Sequence, residues 1–440
     1  MNHRKINLSP SQLLILIFLV SIGIGSMLLK LPIATTEPIR YIDALFTATS
    51  AMTVTGLVVV DTGTTFTLFG QLVIVSLIQL GGLGIMSFAV LIFIALGRKI
   101  SLKERIVIQQ SLNQTSIGGV IYLVRHLLIF SLAIEGIAMI FLAFRWVPEM
   151  GWGQGLYYSF FHSISAFNNA GFALWSDSLM GYVGDPVINI VISLLFIIGG
   201  LGFTVLMDLW SKKKFKKMSL HSKLMIVGTF VINIVSMLVI FAIEVNNPNT
   251  LGGLSSVGDK WWAAYFQAVT TRTAGFNSLD IGSLDESTIF LMVLLMFVGA
   301  GSASTGGGIK LTTFIVMILA VITYLKGKKE VVAGRKSISN EIVFRSLAIS
   351  TISLTFIFIA VFLLNITEEA SFLPLLFEVV SAFGTVGLSM GITATLTTFG
   401  KVMIIFIMFL GKLGPLTLAF SLAKPDKTNI RYPSESILTG

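Results

Sequence analysis

Four glycines, Gly56, Gly171, Gly275 and Gly387, stand 115, 104 and 112 residues apart in a chain of 440 residues. Each closes a copy of one short pattern, in which an aromatic residue and a run of small and apolar residues lead to glycine and then another apolar residue. The closing stretches read Thr53-Val54-Thr55-Gly56-Leu57, Asn168-Asn169-Ala170-Gly171-Phe172, Arg272-Thr273-Ala274-Gly275-Phe276 and Gly384-Thr385-Val386-Gly387-Leu388. A ring lies ten positions before each glycine: Phe46, Phe161, Tyr265 and Phe377. Ser-Ala precedes three copies, as Ser50-Ala51, Ser165-Ala166 and Ser381-Ala382. A pattern recurring at near-equal spacing denotes an internal repeat. The chemistry open to such stretches is that of backbone carbonyls. A cation leaving water needs oxygens to replace its hydration shell, and rings of carbonyls supply them. Glycine reaches backbone angles that other residues avoid and places no side chain among the carbonyls. A short helix before each strand would direct its partly negative C-terminal end at the cation. Four loops meeting round one axis is the functional expectation. Four helix turns that merely share a folding solution is the plain one.

A second stretch is rich enough in glycine and hydroxyls to move. It reads Gly299-Ala300-Gly301-Ser302-Ala303-Ser304-Thr305-Gly306-Gly307-Gly308-Ile309-Lys310. So many glycines and hydroxyls break a helix, and a break at membrane depth is tolerated only in protein or beside a cavity. A gate in the pore is therefore expected here. Phosphate binding, the other reading of such a run, lacks the Walker spacing. Glycines recur at similar depth as Gly81-Gly82-Leu83-Gly84, Gly199-Gly200-Leu201-Gly202 and Gly411-Lys412-Leu413-Gly414-Pro415. The first two of these suit close helix packing through small residues. Lys310 and Lys412 are expected to face the pore, with Lys412 bonding to Ser302, Ser304 or loop carbonyls. Arg272 and Glu378 either pair behind the strands or make two separate local contacts. Glu135 sits mid-span with no role assigned. His126, His162 and His221 read as ordinary residues at span ends.

The elements that must position these stretches are membrane helices. Hydrophobic residues make up 55% of the chain and charged ones 12%, against about 25% charged in soluble domains. The mean hydropathy is +0.90. A membrane helix needs about 20 apolar residues, and eight stretches qualify: 12–29, 70–96, 119–144, 187–210, 223–244, 288–324, 343–366 and 400–423. The basic N-terminus before the first could pass for a signal peptide, but no small-residue cleavage site follows, so a retained helix is expected. Each short pattern falls between an odd and an even stretch. The expected fold is all-α, with four tandem repeats of helix, re-entrant pore loop and helix around a single pore, bounded at 1–97, 98–211, 212–325 and 326–440. Loops after even stretches hold Arg98, Lys99, Lys103, Arg105, Lys212 to Lys214, Lys216, Lys217, Lys326, Lys328, Lys329, Arg335 and Lys336, which places them and both termini in the cytoplasm. The net charge of +9 lies in these loops and does not suggest nucleic acid. With no cysteine and only four scattered histidines, neither a metal cluster nor a nucleophile with its base is expected, so the chain is read as no enzyme. All four repeats share one orientation, which favours a pore over an alternating-access transporter built on inverted repeats.

Taken together and in order, the four glycine copies, residues 299–310 and the Gly411-to-Pro415 segment resemble the membrane subunit of a Ktr potassium uptake system, in the Trk/Ktr/HKT superfamily. The resemblance covers almost the whole chain. It implies potassium bound at Gly56, Gly171, Gly275 and Gly387 as the selectivity filter, with residues 299–310 as the gate below. Sodium-permeable relatives often carry serine at the first position, so Gly56 argues for potassium. Lys412 stands where the family usually has arginine, which keeps the charge and loses the planar fork. The resemblance further implies a homodimer in the cell membrane on a cytosolic ring of RCK-domain regulatory subunits (KtrA/KtrC-like) that bind ATP or ADP. The chain itself is expected to hold no cofactor. The basic loops could dock that ring or meet anionic membrane lipid.

Overall fold

The computed structural model describes residues 10–84 and 120–414. The expectations for the basic residues at 98–105, for Pro415 and for both termini lie outside the described residues. Thirteen helices, leaving single turns aside, carry the fold among the described residues. They are α1 (Pro10–Leu29), α2 (Tyr41–Thr53), α3 (Leu68–Leu83), α4 (Val120–Phe167), α5 (Pro186–Leu201), α6 (Phe203–Lys212) and α7 (Leu220–Glu244), followed by α8 (Val257–Thr270), α9 (Glu286–Phe297), α10 (Leu311–Leu325), α11 (Asn340–Thr367), α12 (Phe372–Gly384) and α13 (Thr398–Leu413). A short antiparallel hairpin, β1 (Val331–Ala333) with β2 (Lys336–Ile338), joins α10 to α11.

Three helices are long and apolar enough to cross a membrane alone: Val124–Phe167 within α4, Leu220–Glu244 and Asn340–Thr367. The α5–α6 pair passes the same test together but bends by 94° at its break. The continuous span expected over 187–210 is therefore two helices, because Gly202 sits at φ 96 and ψ 141, which a helix cannot continue through. α3 stops at Gly84 (φ 81, ψ 129) and α13 at Gly414 (φ 84, ψ 138) in the same way. The stretch at 288–324 is α9 and α10 with residues 298–310 between them. The stretch at 119–144 continues instead into the second short pattern, with one non-helical residue, Gly151, inside α4 (φ 80).

Each helix after a glycine strand begins on a polar cap. Thr67 caps α3, Asp185 caps α5, Asp285 caps α9 and Thr397 caps α13, each accepting from a backbone N–H of the first turn. These caps satisfy donors that a helix leaves unpaired at its start. The opposite ends of the chain meet at a buried ion pair. Lys401 on α13 reaches Asp43 on α2 at 2.8 Å, and Asp43 also accepts from Arg40 at 2.9 Å. His162 is not at a span end. It is fully buried among Trp146, Tyr158 and Trp175, with Nδ1 2.8 Å from the Tyr158 carbonyl and Nε2 accepting from Leu174 N–H.

Candidate functional site: a ring of four glycines above a cross-linked loop

Each glycine strand leaves the end of a short helix through the same two backbone turns. The residue two before the glycine is left-handed in every copy: Val54 (φ 51), Asn169 (φ 57), Thr273 (φ 70) and Thr385 (φ 49). The glycines follow at φ 91, 68, 78 and 94. Valine in the left-handed region is an outlier for a β-branched residue, and such strain persists where surroundings over-determine it. Those surroundings are hydroxyls. Ser50 and Ser381 Oγ accept from the N–H of Gly56 and Gly387, both at 3.1 Å. Ser165 donates to the Phe172 carbonyl at 2.8 Å and Thr270 to that of Phe276 at 2.6 Å. The serine of the Ser-Ala dipeptide is thus the clamp of its strand, and Thr270 takes that part in copy three, where the dipeptide is missing.

The four glycines close a ring in chain order. A Cβ added to Gly56 would lie 3.0 Å from Gly171 Cα, and one on Gly171 would lie 2.9 Å from Gly275 Cα. One on Gly275 would lie 3.4 Å from Gly387 Cα, and one on Gly387 would lie 3.0 Å from Gly56 Cα. The same Cβ atoms would strike the carbonyls of Ala170, Ala274, Val386 and Thr55. Only glycine lets four strands approach this closely. Helices α2, α8 and α12 end at the ring, as does α4, so four carbonyl ends converge on it. Backbone oxygens, hydroxyls and helix C-termini in a narrow ring can replace the water of a small cation. Among the described residues no group of His, Cys, Asp and Glu could hold a metal ion instead.

The glycines at depth pack against the same helix ends. A Cβ on Gly81, Gly199 or Gly411 would strike the carbonyl of Met52, Phe167 or Phe383, each four residues before a ring glycine. Residues 299–310 lie beneath the ring and are hydrogen-bonded to two of its strands, one of which is bonded in turn to a third. Thr305 Oγ1 donates to Asn169 Oδ1 at 2.8 Å, and Asn169 Nδ2 donates to Thr273 Oγ1 at 3.1 Å. Gly307 N–H donates to Thr385 Oγ1 at 2.8 Å. The backbone joins as well: Gly301 N–H to the Gly200 carbonyl at 2.8 Å, Phe203 N–H to that of Ala303 at 2.8 Å, and Gly308 N–H to that of Gly411 at 3.2 Å. Gly299 N–H folds back on the Ile309 carbonyl at 2.8 Å. Both lysines hold the loop by its own carbonyls, Lys310 that of Gly306 and Lys412 that of Thr305, each at 2.6 Å. Of the partners expected for Lys412, a backbone carbonyl is the one found. Ser302 lies 3.5 Å from Thr312, and Ser304 Oγ has no partner among the described residues. Gly306 packs against both Ala300 and Thr273.

Arg272 and Glu378 do not pair. Glu378 accepts from Ser389 and Thr393, at 2.7 and 2.5 Å. Arg272 instead borders a small cavity with Thr229, Asn233, Gly200 and Ala300. Its Nε and the side-chain oxygens of Thr229 and Asn233 have no partner among the described residues. It stands just past the C-terminal end of α8, where a helix favours positive charge. Glu135 accepts from Gln79 and Asn168, a link between distant helices that no local pattern signals.

Apolar helices of membrane-spanning length around a closed ring of four glycine strands mark a membrane protein. The chain belongs to the TrkH family of cation transport proteins, whose profile matches residues 9–432. That is a family of transporters and not of enzymes. The chain is 59% identical over 435 residues to the Ktr system potassium uptake protein B of Bacillus subtilis, covering 99% of this chain and 98% of the relative. It is 38% identical over 442 residues to the potassium/sodium uptake protein NtpJ of Enterococcus hirae, covering 98% of each. The crystal structure of the potassium transporter TrkH from Vibrio parahaemolyticus has the same fold, with a TM-score of 0.76 at 21% identity over 96% of this chain and 87% of that one.

Proposed function

We propose that this multi-pass membrane protein takes potassium ions into the cell through the ring formed by Gly56, Gly171, Gly275 and Gly387. The closed ring, in which each glycine faces the next, carries this reading. The potassium uptake named for its relatives agrees with it. In this reading the four strands are the selectivity filter, and residues 299–310 with Lys412 are the gate beneath it. Eight spans in four repeats, at 1–97, 98–211, 212–325 and 326–440, surround one pore, with both termini in the cytoplasm. Two copies of the chain sit on a cytosolic ring of RCK-domain subunits, and ATP or ADP bound there sets the gate. Sodium enters the reading through the relative named for potassium and sodium uptake.

The test is ion uptake in cells lacking their own potassium transporters. The parent chain should restore growth on low potassium and favour potassium over sodium. Gly56→Ser should lower that preference at unchanged protein level, since a Cβ there meets the Ala170 carbonyl. Parent-like preference in Gly56→Ser, Gly171→Ser and Gly275→Ser alike would remove the filter assignment. Single cysteines in this cysteine-free chain test orientation. One at Lys213 should resist an impermeant thiol reagent outside, and one at Asp285 should react.

A further inference from the structure

Most buried charges near the ring have a charged or carbonyl partner. Lys401 has Asp43, and Lys310 and Lys412 have loop carbonyls. Two carboxylates stand apart. Glu135, 4% exposed in the middle of α4, receives Gln79 Nε2 on both oxygens at 3.1 Å and Asn168 Nδ2 at 3.3 Å. Asn168 also donates to Gln79 Oε1 at 2.7 Å, which closes the triangle. Glu378, fully buried in α12, receives the hydroxyls of Ser389 and Thr393. Asn168 opens the second strand, and Ser389 lies two residues beyond the fourth glycine. Each carboxylate therefore grips one end of a strand. The ring order puts the second and fourth strands across the axis from each other. No basic side chain pairs with either carboxylate in any salt bridge among the described residues.

An ionised carboxylate only accepts hydrogen bonds, and every partner of Glu135 and Glu378 is a neutral donor. Glutamine in place of Glu135 would turn an N–H toward the N–H of Gln79 or Asn168. A buried negative charge without a cation beside it is costly, and at membrane depth such residues mark ion pathways. We propose that Glu135 and Glu378 are positioning residues of the ring. They fix the second and fourth strands from opposite sides of the ring, and so set its affinity and preference for potassium. This rests on the reading of the ring as the cation site.

Coupling of this kind is reciprocal, so it has two readouts. The first is uptake by the full-length chain. In Glu135→Gln and Glu378→Gln the potassium concentration for half-maximal uptake should rise on the order of threefold to tenfold. The potassium-to-sodium ratio, which does not depend on protein amount, should fall. Aspartate at either position should recover part of the loss. The second is thermal unfolding of the purified chain in potassium chloride against choline chloride. Potassium should raise the midpoint of the parent more than that of either variant. Gly56→Ser runs beside them as the control on the ring itself. If it loses preference while both glutamine variants keep the parent's half-maximal concentration, ratio and potassium shift, the ring stands and this inference is overturned. If Gly56→Ser, Gly171→Ser and Gly275→Ser are all parent-like as well, the ring reading falls and takes the inference with it. Should a glutamine variant fail to reach the membrane, Gln79→Met and Ser389→Ala cut the same links without touching the carboxylates. They should shift the ratio the same way, and unchanged ratios would overturn the proposal.

Discussion

The break after α9 differs from the other three. α3, α5 and α13 each end on a single left-handed glycine, at Gly84, Gly202 and Gly414. Between α9 and α10 the same task takes the thirteen residues 298–310. In the three short breaks a glycine packs under the carbonyl of its own repeat's short helix, at Met52, Phe167 and Phe383. The long break reaches out of its repeat, to Asn169, Gly199 and Gly200 in the second and to Thr385 and Gly411 in the fourth. A short break has no spare chain of its own to send across the axis. A long one can carry hydrogen bonds across the axis, and glycine and hydroxyl content lets it do so without a helix to oppose it. The segment is held by these polar bonds together with the buried Val298, Ala300 and Ile309, and a gate there needs two arrangements only a few kcal/mol apart.

The widest separation between the two kinds of break should come from removing residues 303–307. Flux should rise several-fold and lose its dependence on the regulatory partner, measured as potassium uptake with and without that partner. Because the lost residues bond to Asn169 and Thr385, the potassium-to-sodium ratio should also fall. Flux and control unchanged at normal protein level would make the loop a packing feature. Lys412→Gln should act in the same direction with less effect. It removes a charged hydrogen bond to the Thr305 carbonyl, a contact worth about 1.5–3 kcal/mol, and Lys310→Gln does the same at Gly306. A Lys412 variant with parent flux would show that the fourth repeat does not hold the loop.

Alanine at the short breaks separates strain from contact. Among the described residues Gly84→Ala meets no neighbouring atom, so it is the positive-φ backbone that opposes it, at about 1–3 kcal/mol. Thermal unfolding should shift accordingly, with regulated flux kept. Gly202→Ala has the same backbone strain and also strikes the Ser302 carbonyl, so it should disturb control by the partner as well. Equal behaviour of the two variants would mean that the second break and the loop are independent. The smallest effect is expected at Val54, the one apolar residue among the four left-handed positions. Val54→Asn should gain up to about 1 kcal/mol, because asparagine tolerates that conformation where valine does not. A loss of stability there would show that the Val54 side chain, fully buried in the apolar core, outweighs its backbone strain.

Much of this protein is written locally in its chain. Apolar runs longer than 18 residues, lysines in the loops and the recurring glycine pattern are properties of neighbouring residues, and they suffice for a helical membrane protein with four copies of one glycine strand. The run from Gly299 to Lys310 identifies itself by composition in the same way. Other features depend on atoms far apart in sequence. The serine that clamps each strand is visible in three copies as Ser-Ala, but its hydroxyl acts on a backbone group whose position only the folded turn defines. The ion pair of Asp43 and Lys401 joins residues 358 positions apart, and the bond from Thr305 to Asn169 joins residues 136 apart. The 94° bend at Gly202 needs a left-handed angle that glycine permits but does not require. Glu135 meets Asn168 only because α4 turns back at Gly151, and Gln79 joins them because α3 packs against α4. Composition and short-range pattern thus determine which segments enter the membrane and which are free of helix. Which strand neighbours which glycine, and which carboxylate stands behind it, is decided by packing between distant segments, whose hydrogen bonds exist only once the ring has closed.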